Sequence, residues 1–194
     1  VVIVGGWACG EHALAAWAPF YASHGIVAMT IGTAQPWKDQ PPDLSRALLD
    51  ASAALQLEHE RAGSALHGRM DVTRRAVQGY SLGGGGAQLA ALEDKTLKCV
   101  IALCPHEGVP PTHPAELSAS VPVLIIAGEK DKSADGQKQA WPQYRKTRAD
   151  RLLFEIAGAD HFVANGPAGG IEKDISAAPA ARCATFVAPS AAAA

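Results

Sequence analysis

The chain has 194 residues, 48% of them apolar and 19% charged, with a formal net charge of -2. At that length one core buries roughly 70% of the unfolded surface, so a single domain over 1–194 is expected. Mixed charges without a basic stripe or polybasic tract exclude a nucleic-acid or anionic-membrane partner, and the longest apolar run, VPVLIIAG at 121–128, is far short of the ~18 residues of a membrane span. What remains is a small or neutral ligand.

In chain order, β-rich runs stand at 1–6 (VVIVGG), 25–32 (GIVAMTIG), 74–80 (RRAVQGY), 97–104 (LKCVIALC), 121–128 and 151–158 (RLLFEIAG). Helix-like stretches separate them at 11–24, 43–63, 82–94 and 136–146, the second opening with Asp43 as its expected N-cap. Strands apolar on both faces that alternate with helices predict an α/β fold: a mostly parallel sheet, helices on both faces, right-handed crossovers. The Pro-rich 105–116 reads as a loop over the sheet edge, and Pro167 and Pro179 interrupt what should be a closing helix.

Val1 is not an initiator methionine and already sits in an apolar strand, so further sequence is expected ahead of it, while the closing alanines read as placeholders. A targeting segment would then not be visible. Cys9, Cys99, Cys104 and Cys183 show no C-x-x-C spacing, and Cys99 and Cys104 fall on opposite faces of one strand, so neither zinc nor any other metal is expected; the redox compartment stays open.

Gly79-Tyr80-Ser81-Leu82-Gly83 is a Gly-x-Ser-x-Gly pattern where a strand gives way to a helix. That pattern marks a nucleophile elbow, a tight turn that lifts a serine hydroxyl above the carboxyl edge of a sheet. Glycines two before and two after Ser81 leave room for the neighbouring strand and helix, and the run Gly83–Gly86 lets the helix N-terminus sit close to a developing oxyanion. A phosphate-binding reading lacks both Gly-Lys-Ser/Thr and an acidic partner on the next strand.

A nucleophilic serine needs a base and an orienting acid, arriving in the order Ser, Asp/Glu, His. His106 and His161 closely follow strands; His12, His24, His59, His67 and His113 read as helix-surface or loop residues. Asp160-His161 follows the last strand and Glu129-Lys130-Asp131 the one before it. Position favours Asp131, with Glu129 and then Asp135 as competitors.

These motifs together resemble the α/β-hydrolase fold, and more closely its cutinase-like polyester hydrolases, including the bacterial PET hydrolases, with dienelactone hydrolases more distant. VVIVGGW is similar to the family's oxyanion strand and loop, 68–91 to its elbow with a four-glycine tail, VPVLIIAGEKDKSA to its acid-bearing strand, and AGADHFVAN, with Asn165 four after His161, to its histidine loop. The resemblance implies Ser81 as nucleophile, His161 as general base, Asp131 as its orienter, and the backbone amides of Trp7 and Leu82 as oxyanion donors. It also implies Trp7, Tyr80 and His106 beside the substrate, no cofactor, and a secreted or organellar location.

The expected function is therefore a serine carboxylester hydrolase of cutinase or polyesterase type acting through an acyl-enzyme on a small or polymeric ester, with a pigment or lipid esterase close behind. Because the base must be neutral, activity should fall below roughly pH 6 to 7. There are departures from the family: Leu82 stands for the usual Met, and His106 for a Trp beside the cleft, where an imidazole stacks on an aromatic diester less well than an indole. Trp7 is large where Tyr or Phe is common, the family's disulfide cysteines have no clear counterparts, and the two strands that usually precede VVIVGGW are missing. They motivate an alternative, a non-catalytic accessory or structural subunit, and a protein partner covering the N-terminal sheet edge.

Overall fold

The computed structural model describes residues 1–165 and Thr185–Val187; Pro167, Pro179, Cys183 and the closing alanines lie outside the described residues. The elements run β1 (Val2–Val4), α1 (Trp17–Ser23), β2 (Ala28–Ile31), α2 (Pro41–Glu60), β3 (Ala76–Tyr80), α3 (Leu82–Glu93), β4 (Cys99–Leu103), β5 (Val123–Gly128), α4 (Ala140–Lys146), β6 (Arg151–Ile156), a 3-10 turn at His161–Asn165 and β7 (Thr185–Val187).

The sheet has the order β6-β5-β4-β3-β1-β2-β7, with the first six strands parallel to one another and β7 antiparallel to β2. This is the mostly parallel sheet of the α/β-hydrolase fold. The outer edge of β2 is paired over Ala28–Thr30 by β7 of the same chain.

Period-2 alternation sorts the strand side chains into two cores. Val2, Val4, Val77, Val100 and Ile125 pack with α2, α3 and Ala140 of α4 on one face. Ile3, Ala28, Tyr80 and Leu103 pack with Ala18 and Tyr21 of α1 on the other. α2 buries Leu44, Leu48, Ala51 and Leu55, spaced three and four apart as a helix stripe requires. α3 is buried from Leu82 to Ala91 and so forms the central layer beneath the elbow.

Three helix starts differ from expectation, the simplest being α4, which begins at Ala140 and not at 136. Residues 11–16 form successive turns closed by i→i+3 bonds, Ala13 N to Gly10 O and Trp17 N to Leu14 O, so α1 begins only at Trp17. Asp43 is the third helical residue of α2: its carboxylate accepts from the Gln40 amide at 3.0 Å, Gln40 being the N-cap, with Pro41 and Pro42 in the first turn where their missing donors cost nothing.

Candidate active site

The nucleophile turn explains its glycines by contact. A Cβ on Gly79 would come 1.8 Å from the Gly83 carbonyl oxygen, and one on Gly83 would come 2.3 Å from the Gly5 carbonyl oxygen, both backbone atoms that have nowhere to move. Ser81 between them holds φ 56 and ψ -120, a conformation L-residues rarely adopt and one that costs about 1–3 kcal/mol. Surrounding hydrogen bonds sustain it: Ser81 N donates to Leu103 O at 2.9 Å, and Ser81 O accepts from His106 N at 2.9 Å and Gly85 N at 3.2 Å. The hydroxyl therefore stands at the carboxyl end of β3 with little freedom.

Two later strand ends bring His161 and Asp131 to it. His161 Nε2 lies 3.1 Å from Ser81 Oγ, and His161 Nδ1 lies 2.6 Å from Asp131 Oδ2. Asp131 Oδ1 accepts from the amides of Ser133 at 2.8 Å and Ala134 at 2.7 Å, which orients the carboxylate. Burial raises the Asp131 carboxyl, and the His161 hydrogen bond, the two amides and the neighbouring imidazole outweigh it, so the group is held below the usual carboxylate range. Its charge fixes the Nδ1–H tautomer of His161 and leaves Nε2 as the acceptor facing Ser81.

The competing acids are engaged elsewhere. Glu129 Oε2 accepts from Gly158 N at 2.6 Å, and Asp135 accepts from Gln137 N at 2.9 Å and faces Lys138 at 3.6 Å. Behind Asp131 sits Cys104, with ligand atoms of Cys104, Asp131 and His161 all within 4.8 Å of one another. Burial, then the Asp131 charge, pushes the Cys104 thiol up to about 12, so it is a protonated thiol at neutral pH.

The loop after β1 and the start of α3 flank Ser81. Leu82 is the first residue of α3, so its N–H is one of the donors the helix itself cannot satisfy. The loop after β1 comes so close that a Cβ on Gly6 would lie 2.6 Å from Ser81 Cβ, which brings the following Trp7 amide to the same end of the sheet. Ala8 N donates to Pro36 O at 2.8 Å and pins that loop to the one after β2.

A cleft of about 470 Å³ opens over Ser81. Trp7, 49% exposed, and His106 line it; Tyr80, only 2% exposed, borders it from below with its ring 4.9 Å from the His161 ring, so it supports the imidazole from within the core. Motif reading missed Gln40, Val109 and Phe162, which also line the cleft, and Trp37, whose indole meets Trp7 edge-on at 4.8 Å while its carbonyl accepts from Trp7 Nε1 at 3.2 Å. The signal for Trp37 was its place in a loop that leaves the carboxyl end of a strand. A cavity of about 540 Å³ near Val1 and Lys98 holds Ser52, whose hydroxyl accepts from Arg75 and has no hydrogen-bonded base among the described residues.

This geometry is that of a charge-oriented base on a serine, the arrangement of nucleophilic acyl transfer. No helix among the described residues is long and apolar enough to cross a membrane. Comparison with known proteins points the same way. Cutinase 2 of Thermobifida cellulosilytica is 37% identical over 161 residues, 81% of this chain and 58% of that protein. Cutinase cut1 of Thermobifida fusca is 37% identical over 161 residues, 81% of this chain and 48% of that protein. Lipase 1 of Moraxella sp. (strain TA144) is 29% identical over 162 residues, 84% of this chain and 47% of that protein. The chain spans about half the length of the curated relatives it matches. The PET hydrolase-like family model matches residues 1–178, and the chain belongs to that family.

Proposed function

We propose that this chain is a serine carboxylester hydrolase of cutinase type, with Ser81 as nucleophile, His161 as general base and then acid, and Asp131 as the residue that holds the imidazole. The observation that carries the reading is the unbroken relay from Asp131 Oδ2 to His161 Nδ1 at 2.6 Å and from His161 Nε2 to Ser81 Oγ at 3.1 Å, at the floor of an open cleft. Ser81 Oγ attacks the ester carbonyl carbon as its proton passes to His161 Nε2. The tetrahedral oxyanion is met by the amides of Trp7 and Leu82, which together lower the barrier by about 3 kcal/mol or more. The intermediate collapses, the alcohol leaves with the proton from His161, and a water deprotonated by the same imidazole releases the acid from the acyl-enzyme.

The cleft favours an apolar ester. Trp7 at 49%, Val109 at 77% and Phe162 at 36% exposure form an apolar rim, suited to an insoluble or polymeric substrate as well as a small one. The test is labelling with a fluorophosphonate probe, located by peptide mass spectrometry, with Ser81→Ala as control. Adduct at Ser81 that vanishes in the control supports the reading. A folded protein that takes up no probe overturns it in favour of a non-catalytic accessory role.

A further inference from the structure

His106 is held more tightly than a surface-loop residue needs to be. Its backbone N–H donates to Ser81 O at 2.9 Å, which ties its position to the nucleophile turn. The next three amides are each engaged: Glu107 N donates to Gln139 Oε1 at 2.9 Å, Gly108 N to His106 Nδ1 at 2.9 Å, and Val109 N to Gln40 Oε1 at 3.0 Å. Gly108 has φ +89, the left-handed conformation that turns its amide back onto the ring, and a Cβ there would strike Pro41 Cδ at 2.8 Å. The loop is thus a fixed wall and not a mobile flap.

The Gly108 contact decides the tautomer. A backbone amide can only donate, so His106 Nδ1 must present a lone pair, and the neutral ring carries its proton on Nε2. A second proton would place N–H against N–H at Nδ1. Burial and the neighbouring His161 push His106 in the same, neutral direction, against the opposing pull of Glu107 and Asp131. No acceptor among the described residues takes the Nε2 proton: the His106 side chain makes no other hydrogen bond among them, and its Nε2 is not among the buried atoms without a partner. The ring lines the cleft with Ser81, Leu82 and Trp7, so Nε2–H is a donor open to whatever enters.

We propose that His106 is a specificity-determining donor that selects esters carrying a second acceptor oxygen, such as the far carbonyl of an aliphatic diester or of a polyester repeat, over hydrocarbon esters of the same length. This rests on the ester-hydrolase reading of the cleft. The donor needs no reorganisation when substrate binds, because the Gln40, Gln139 and Ser81 contacts have already set its position. A carbonyl that meets it replaces a water bond with a direct one, whereas a methylene in the same place leaves Nε2–H unpaired in a partly dry cleft. One neutral hydrogen bond of this kind corresponds to about three- to tenfold in kcat/KM.

The test compares methyl 4-nitrophenyl succinate with 4-nitrophenyl hexanoate, equal in chain length and leaving group and different in the second ester. We expect the wild-type kcat/KM ratio, succinate over hexanoate, to exceed that of His106→Phe by about three- to tenfold, and His106→Gln, which keeps an N–H at similar reach, to recover part of it. An unchanged ratio in His106→Phe, or a Gln variant no better than Phe, overturns the proposal while leaving the hydrolase reading intact. Hydrolysis of neither ester overturns both. A readout that needs no variant is the 15N spectrum of the imidazoles: the proposal requires the neutral His106 proton on Nε2, and a proton on Nδ1 overturns it.

Discussion

His113 should make the protein lose stability as the pH falls towards 4. It sits in the loop that follows β4, with its side chain 0% exposed and packed so closely on α3 that a Cβ on Gly85 would lie 2.8 Å from Nε2. Neither ring nitrogen finds a hydrogen-bond partner among the described residues; the nearest charged group, Glu107 Oε1, is 3.7 Å from Nδ1 and is itself held by Lys146 at 3.0 Å. Burial pushes the imidazole down to about 4; Lys146 and His106 act in the same direction, and Glu107 and the nearby Gly85 backbone act against it. An unfolded imidazole titrates near 6.5. Above that pH both states are neutral and the residue adds no pH dependence. Between about 6.5 and about 4 the unfolded chain binds a proton that the folded chain refuses, so stability falls as pH falls; below about 4 both are charged and the fall stops. A gap of about 2.5 units at about 1.36 kcal/mol each gives about 3 kcal/mol, a large share of a total near 5–15. Urea unfolding followed by tryptophan fluorescence at about pH 7 and about pH 4 measures it. His113→Leu, which keeps the volume and removes the titration, should lose about 3 kcal/mol less than wild type over that interval. Parallel losses in the two proteins would refute the reasoning.

Other outcomes follow from the same geometry. In Asp131→Asn the Ser133 and Ala134 amides hold the remaining oxygen, so the new NH2 faces His161 Nδ1 and forces the ring proton onto Nε2, towards Ser81; kcat should fall about 10³- to 10⁴-fold with the fold intact by circular dichroism, and a loss under tenfold contradicts the assigned role. Gly83→Ala drives a Cβ into the Gly5 and Val4 carbonyl oxygens and should cost about 2–3 kcal/mol, lowering Tm by roughly 5–10 °C; an unchanged Tm would show that β1 can move away. Cys104, buried with its thiol pushed up to about 12, should resist iodoacetamide in the native protein at about pH 8 and react once urea unfolds it; fast native alkylation would contradict that environment.

What the sequence discloses, and what it hides, divides by range. Five of the six parallel strands are legible because a strand covered on both faces must be a short apolar run, as Val123–Gly128 is; β6 is legible from the same kind of run although its side chains are mostly exposed. The elbow is legible because its sterics close within five residues: the atom that a Cβ on Gly79 would strike belongs to Gly83. Residues 11–16 were misread as helix because an alanine-rich segment has the same composition whether its bonds run i→i+4 or, as here, i→i+3. Asp43 was misread as an N-cap because the pattern of a capping box does not say which end of it opens the helix when two prolines lie between.

The choice among Glu129, Asp131 and Asp135 could be made by position and resemblance, but the reason for it is only in the fold: Gly158, from another strand end, takes Glu129 out of contention, and two local amides orient Asp131. The cleft wall lies further out of reach. His106 reads in sequence as a poor substitute for an aromatic platform, because its neighbours in the chain do not reveal that Gly108 dictates its tautomer or that Gln40 and Gln139, from the segments before α2 and α4, fix the amides on either side. Those two glutamines are 69 and 32 residues from the amides they receive. A side chain whose chemistry is set by contacts at that separation leaves no periodicity and no spacing to read. The same separation makes the wall adjustable: a change at Gln40 or Gln139 alters the donor beside Ser81 without touching the nucleophile, the base or the acid, so selectivity can drift while the chemistry of acyl transfer stays fixed.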